Sequence, residues 1–126
     1  MARSVLFVSS FAPAAAREAV LNSGLDVDLA VISPSARARE TAGFAVGGRW
    51  VFILEEPLLA SRAFAESGQD VLGRLAQALR VIDAHDARAL LVVVDGLDIV
   101  GSSAFTLDEA GLTRAAADLE GLLPQP

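Results

Sequence analysis

Arg37 is the residue around which an anion site would form in this chain. It lies in Ser33-Pro34-Ser35-Ala36-Arg37-Ala38-Arg39-Glu40-Thr41-Ala42, directly after the apolar run Leu29-Ala30-Val31-Ile32. Ser33 suits a helix N-cap and Pro34 the first helical position, where a missing N–H costs nothing. The first turn of such a helix leaves backbone N–H groups unpaired, and Arg37 projects from close to the same positive end. Together they can receive a phosphate or a carboxylate. A solvated arginine at a helix start has the same local pattern. Carboxylates and hydroxyls follow the other apolar runs: Ser9 and Ser10 after Val5–Val8, Glu55 and Glu56 after Trp50–Leu54, and Asp95 after Ala89–Val94. Glu55 or Asp95 at a strand end can serve as acid or base or as a substrate contact, and each also suits a solvated carboxylate. Asp95-Gly96 is in addition a turn signal in its own right. A phosphoacceptor aspartate of the response-regulator kind would need an acidic pair after the first strand and a late lysine. The chain has Ser9-Ser10 and no lysine.

The run Ser-Pro-x-x-Arg-Ala-x-x-Thr-Ala behind a hydrophobic strand resembles the histidine phosphatase superfamily, the phosphoglycerate mutase-like proteins. The resemblance implies that Arg37 lines a phosphate pocket. Glu66-Ser67-Gly68-Gln69-Asp70-Val71-Leu72-Gly73-Arg74-Leu75 is similar to a helix start of that family, and Ala89 to Gly96 to the strand leading to its second catalytic histidine. The first strand of the family ends in Arg-His-Gly, whose histidine is phosphorylated, whereas this chain has Ser9-Ser10-Phe11. Its later Ser-His-Gly is here Val94-Asp95-Gly96. The single histidine, His85, lies in the polar turn Asp83-Ala84-His85-Asp86 before the strand and cannot stand in for either. The expectation is a shortened member without phosphohistidine chemistry, since a covalent phosphoryl transfer needs a nucleophile and a base to activate it. Arg37, Ser9, Ser10 and Asp95 form the expected ligand site, with Asp95 and Glu55 as the candidates for any altered acid–base chemistry. The ligand would be a small anion or a zwitterion.

Strand and helix patterns alternate throughout. Ser4–Val8 and Leu29–Ile32 read as buried strands, and Trp50–Leu54 is rich in aromatic and β-branched residues. Helices are expected from Ala12 to Ser23, from Ser33 to about Val46, and from Ser67, with Val71, Leu72, Leu75, Leu79 and Ile82 on one face and Arg74 and Arg80 in solvent. Thr106 with Glu109 has the spacing of a capping box for a last helix from Leu107 to about Leu123. This alternation predicts one α/β domain spanning residues 1–126, a three-layer structure with a mostly parallel sheet and helices on both faces.

The chain has 126 residues, 53% of them hydrophobic, enough for one sizeable core. A net charge of -6, with only 10 basic residues and those scattered, argues against a nucleic-acid partner. The apolar runs fall far short of the roughly 20 residues that span a membrane. No secretory cleavage pattern follows Met1-Ala2-Arg3-Ser4, and the absence of cysteine excludes disulfides and thiolate chemistry, so a cytoplasmic location is expected. No metal-ligand spacing is present, and no cofactor is expected. The high apolar content makes a homodimer the expected assembly, through Gly96–Phe105 or the final helix.

Overall fold

The computed structural model describes residues 4–48, 50–60, 68–85, 87–95 and 105–121. In chain order these form β1 (Ser4–Ser9), α1 (Pro13–Ser23), β2 (Leu29–Ile32), α2 (Ala36–Val46), β3 (Phe52–Glu55), a 3-10 turn (Pro57–Leu59), α3 (Gly68–Ala84), β4 (Ala89–Val94), β5 (Phe105–Asp108) and α4 (Glu109–Gly121). The five strands make one sheet in the order β3-β2-β4-β1-β5. β4 is buried along its whole length between β1 and β2, both parallel to it, as its unbroken run of Leu and Val demands. β3 extends the parallel set on one edge, and β5 closes the other antiparallel to β1.

Alternate side chains of the sheet feed two cores. Leu6, Val8, Ala30, Ile32, Leu91 and Val93 pack with Ala16 and Val20 of α1 and Ala38, Ala42 and Ala45 of α2. On the other face, Val5, Phe7, Val31, Leu90 and Val92 pack with Ala78 and Ile82 of α3 and with Leu59. Helices α1 and α2 lie against each other, as do α3 and α4. The expected three layers are therefore present. Small alanines on α1 and α2 let those helices approach the sheet closely, and left-handed glycines end both, Gly24 at φ 69° and Gly47 at φ 62°. Among the described residues no helix is long and apolar enough to cross a membrane.

Four local expectations are corrected. The cap of α2 is Ser35 and not Ser33: its Oγ accepts the Ala38 N–H at 3.0 Å, and the helix begins at Ala36. Ser33 instead continues β2, its N–H bonded to the Val93 carbonyl, and its hydroxyl is engaged elsewhere. Thr106 does not open a helix. It pairs with Leu6 in β5, and Asp108 takes over as cap by accepting the Gly111 N–H at 2.6 Å. Arg74 is not directed simply to solvent, because its guanidinium donates to the carbonyls of Leu58 and Ala60 and ties the 3-10 turn to α3. Strand β3 begins at Phe52, two positions later than the pattern Trp50–Leu54 indicates, and is exposed throughout. Ser67 and Gly96 to Ala104 lie outside the described residues.

Candidate functional site

Parallel strands bring their carboxyl ends to one edge of the sheet, where ligands of α/β proteins bind. The backbone pairing is carried past the strand ends: Ser10 N–H donates to Val94 O at 3.0 Å and Ser33 N–H to Val93 O at 2.9 Å. This sets Ser10, Ser33 and Asp95 side by side. Ser10 and Ser33 are fully buried, and Asp95 is partly so. The Ser10 hydroxyl donates to Asp95 Oδ1 in a short contact, and the Ser33 hydroxyl donates to Oδ2 at 2.8 Å. The Ser35 hydroxyl, whose oxygen already caps α2, also hydrogen-bonds the same carboxylate. From below, buried Thr41 of α2 donates Oγ1–H to the Ser10 carbonyl at 3.1 Å and fixes the β1 end against the helix.

These contacts set the charge of Asp95. Burial alone would raise its pKa, but the hydrogen bonds from Ser10, Ser35 and Ser33, together with the Arg37 charge, hold it below the ordinary 3.8. At neutral pH it is a carboxylate that only accepts. Arg37 stands at the start of α2 with its guanidinium 4.4 Å from the centroid of the Phe11 ring, a cation–π arrangement. Phe11, Ser35, Arg37 and Asp95 line an open cavity of about 250 Å³. It offers one fixed cation, one fixed anion and an aromatic face, which suits a small polar molecule.

The structure thus brings together three of the residues singled out in the sequence, Arg37, Ser10 and Asp95, although Ser10 lies beneath the cavity and does not line it. Ser9 is not among them. Its Oγ accepts the Phe11 N–H at 3.1 Å in a local turn, and strand alternation places it on the face opposite Ser10. Glu55 ends β3 two strands away from β4, exposed and paired with Arg39, and Glu56 caps the following turn through the Leu58 N–H. His85 precedes β4 and so belongs to the opposite edge of the sheet from Asp95. Sequence reasoning missed Ser33, Ser35 and Phe11 as members of the site. The Ser33-x-Ser35 spacing directly after a buried strand was the available signal.

Thr41 supplies a test of how the site is held. Thr41→Val keeps the shape and removes the donor to the Ser10 carbonyl, so a loss of about 1–2 kcal/mol in urea unfolding is expected. A change within experimental error would show that the Ser10 end is held without it.

Among the described residues no group of three His, Asp or Glu side chains is arranged to hold a metal. No protein-family model matches the chain, and no curated protein matches it. Among solved structures, the chain is similar to a putative alpha-ribazole-5'-P phosphatase from Escherichia coli str. K-12, with a TM-score of 0.61 and 14% identity over 74% of each chain. The likeness lies in the fold: this chain has the phosphoglycerate mutase-like α/β architecture, with its candidate site at the carboxyl edge of the sheet.

Proposed function

We propose that this chain is a histidine-phosphatase-like protein without phosphohistidine chemistry, and that its cavity holds a small anionic or zwitterionic ligand on Arg37. One observation carries this reading. At the two positions where the family resemblance would place catalytic histidines, Ser10 and Asp95 are bonded to each other, with Ser33 as a further donor. A serine hydroxyl becomes a nucleophile only when a base takes its proton, and the ideal base has a pKa near the working pH. Asp95, held below the ordinary carboxylate value, is a poor one. Its lone pairs are instead used to order the floor of the cavity. Above that floor the Arg37 fork is presented to a phosphate or carboxylate, with Phe11 alongside to cover an apolar part of the ligand.

The same Ser10–Asp95 contact also underlies a second reading, an enzyme with altered acid–base chemistry on a phosphate- or carboxylate-bearing substrate. A single assay separates the two. The purified protein is expected to hydrolyse a generic phosphomonoester no faster than the uncatalysed background. Turnover that disappears in Arg37→Ala would overturn the first reading in favour of the second.

A further inference from the structure

Of the large exposed apolar side chains of the described residues, Leu21 stands alone on α1 and the other six fall into two groups. Phe11 and Phe44 are each covered on one face by an arginine, Arg37 at 4.4 Å and Arg17 at 5.0 Å. Trp50, Phe52, Ile53 and Leu54 are instead consecutive or nearly so, at 81%, 61%, 38% and 42% exposure, on the edge strand β3 and just before it. They stand on both faces of the sheet. Phe52 and Leu54 register with Leu29 and Val31 on the α3 side, and Ile53 registers with Ala30 on the α2 side. Trp50 meets Phe52 edge to face, with 4.6 Å between ring centroids.

Among the described residues, no strand pairs with the outer side of this edge. Glu56 N–H donates to Ile32 O, so in the alternating pattern of a strand positions 52, 54 and 56 direct their amides and carbonyls toward β2. Positions 51, 53 and 55 direct theirs outward. A hydrophobic edge strand with outward amides and carbonyls is a template for another strand.

We infer that β3, continued back to Trp50, pairs antiparallel with the same segment of a second copy of this chain, about a two-fold axis through Phe52, to give one continuous sheet across a homodimer. The axis must run perpendicular to the sheet, so facing residues come from the same face. Centring it on Phe52 sets Trp50 against Leu54 of the partner copy and Val51 against its Ile53, apolar residue against apolar residue from Trp50 to Leu54. The Val51–Ile53 pairs use the outward amides and carbonyls. Centring the axis on Ile53 or Leu54 would instead oppose Val51 or Ile53 to the charged Glu55. The area is of the right size. At the 150–250 Å² that a large side chain can bury, the exposed parts of these four residues come to roughly 330–560 Å² per copy, so a pair offers roughly 700–1,100 Å² against the ~1,000 Å² of a stable interface before backbone is counted. A copy of the same chain brings both a strand for the edge and apolar side chains for both faces. The proposed location for a dimer thus moves from Gly96–Phe105 or the final helix to β3. It does not depend on what the Arg37 cavity binds.

Sedimentation velocity of the intact protein at micromolar concentration is expected to show a dimer. Phe52→Lys puts two like charges on the axis at an exposed position, and should give a monomer with unchanged far-UV circular dichroism. A second variant fixes the register. Facing residues at a non-hydrogen-bonded site have Cα atoms about 4.5 Å apart, within disulfide range, so Phe52→Cys, in a chain with no other cysteine, should cross-link into a dimer under mild oxidation. A monomeric wild type, a dimer that survives Phe52→Lys, or a dimer that Phe52→Cys does not cross-link would each overturn the proposal.

Discussion

Asp95→Ala is expected to destabilise the protein by about 2–4 kcal/mol in urea unfolding, although Asp95 lies at the rim of the fold and not in its core. The cost comes from the residues beneath it. Ser10 and Ser33 are 0% and 1% exposed, and Asp95 accepts from both hydroxyls. Without the carboxylate two buried O–H groups lose their acceptor, and a buried unsatisfied donor costs roughly 1–3 kcal/mol. Among the described residues every buried side-chain polar atom now has a partner, so the variant would introduce a defect the native molecule does not have. Asp95→Asn retains one acceptor oxygen and should lose less than half as much. The charge adds a pH dependence whose sign follows from the pKa. A carboxyl that titrates lower in the folded state than its ordinary 3.8 stabilises the fold fully above that value and loses the contribution as the pH falls through the folded pKa. The stability difference between wild type and Asp95→Asn should therefore be constant from neutral pH down to about pH 5 and shrink below pH 4. An Asp95→Ala loss below 0.5 kcal/mol, or a difference that shrinks near neutral pH instead, would show that the serines do not depend on this carboxylate.

The same network marks where local sequence reading succeeds and where it fails. Val5–Val8, Leu29–Ile32 and Ala89–Val94 are short apolar runs with sharp polar ends, and all three are strands, because a strand buried on both faces must be apolar at every position. Helix α1 was equally legible from Pro13 at one end and Gly24 at the other. β5 was not. Thr106 and Glu109 have the spacing of a cap, and only the unpaired edge of β1, remote in sequence, makes Phe105–Asp108 a strand. Tertiary pairing outweighed a local preference of about a kcal/mol.

The site divides along the same line. Arg37 was legible because a helix start after a buried strand has one geometry, and the arginine comes with it. The role of Asp95 was not, since an Asp-Gly pair suits a turn, an acid and a ligand equally well in one dimension. Its meaning comes from serines on two other strand ends and from the N-cap of α2, which no spacing connects. Ser33 shows the competition directly. It was a good cap by type, but Asp95 captured its hydroxyl and Ser35 took the cap. Glu55 failed as a site residue for a related reason: a strand end fixes which edge a side chain occupies, and Arg39, one helix turn beyond Ser35, was closer than Asp95.

Anion binding at Arg37 is expected to be weak in the native protein and to tighten about tenfold when Asp95 is neutralised. The two groups line one cavity, and both charges are fixed at neutral pH. Sulfate placed on the guanidinium would sit near the carboxylate as well. At a separation of about 6 Å and an effective dielectric of 20–80, each unit of charge on the ligand is opposed by roughly 0.7–3 kcal/mol. Asp95→Asn removes that repulsion at nearly constant shape, and Asp95→His should do the same at pH 8 and add attraction as the imidazole protonates below about pH 6.5. Calorimetric titration with sulfate at low ionic strength measures both, since added salt would screen the effect. The gain must vanish in the Arg37→Ala/Asp95→Asn double variant if the two residues act on one ligand. Equal sulfate affinity in wild type and Asp95→Asn would mean that they do not share a site, and a zwitterion becomes the test ligand of choice if neutralising Asp95 weakens its binding while tightening that of sulfate. That opposite response follows from charge alone: an ammonium group bound beside Asp95 loses its partner in the same substitution that relieves the anion.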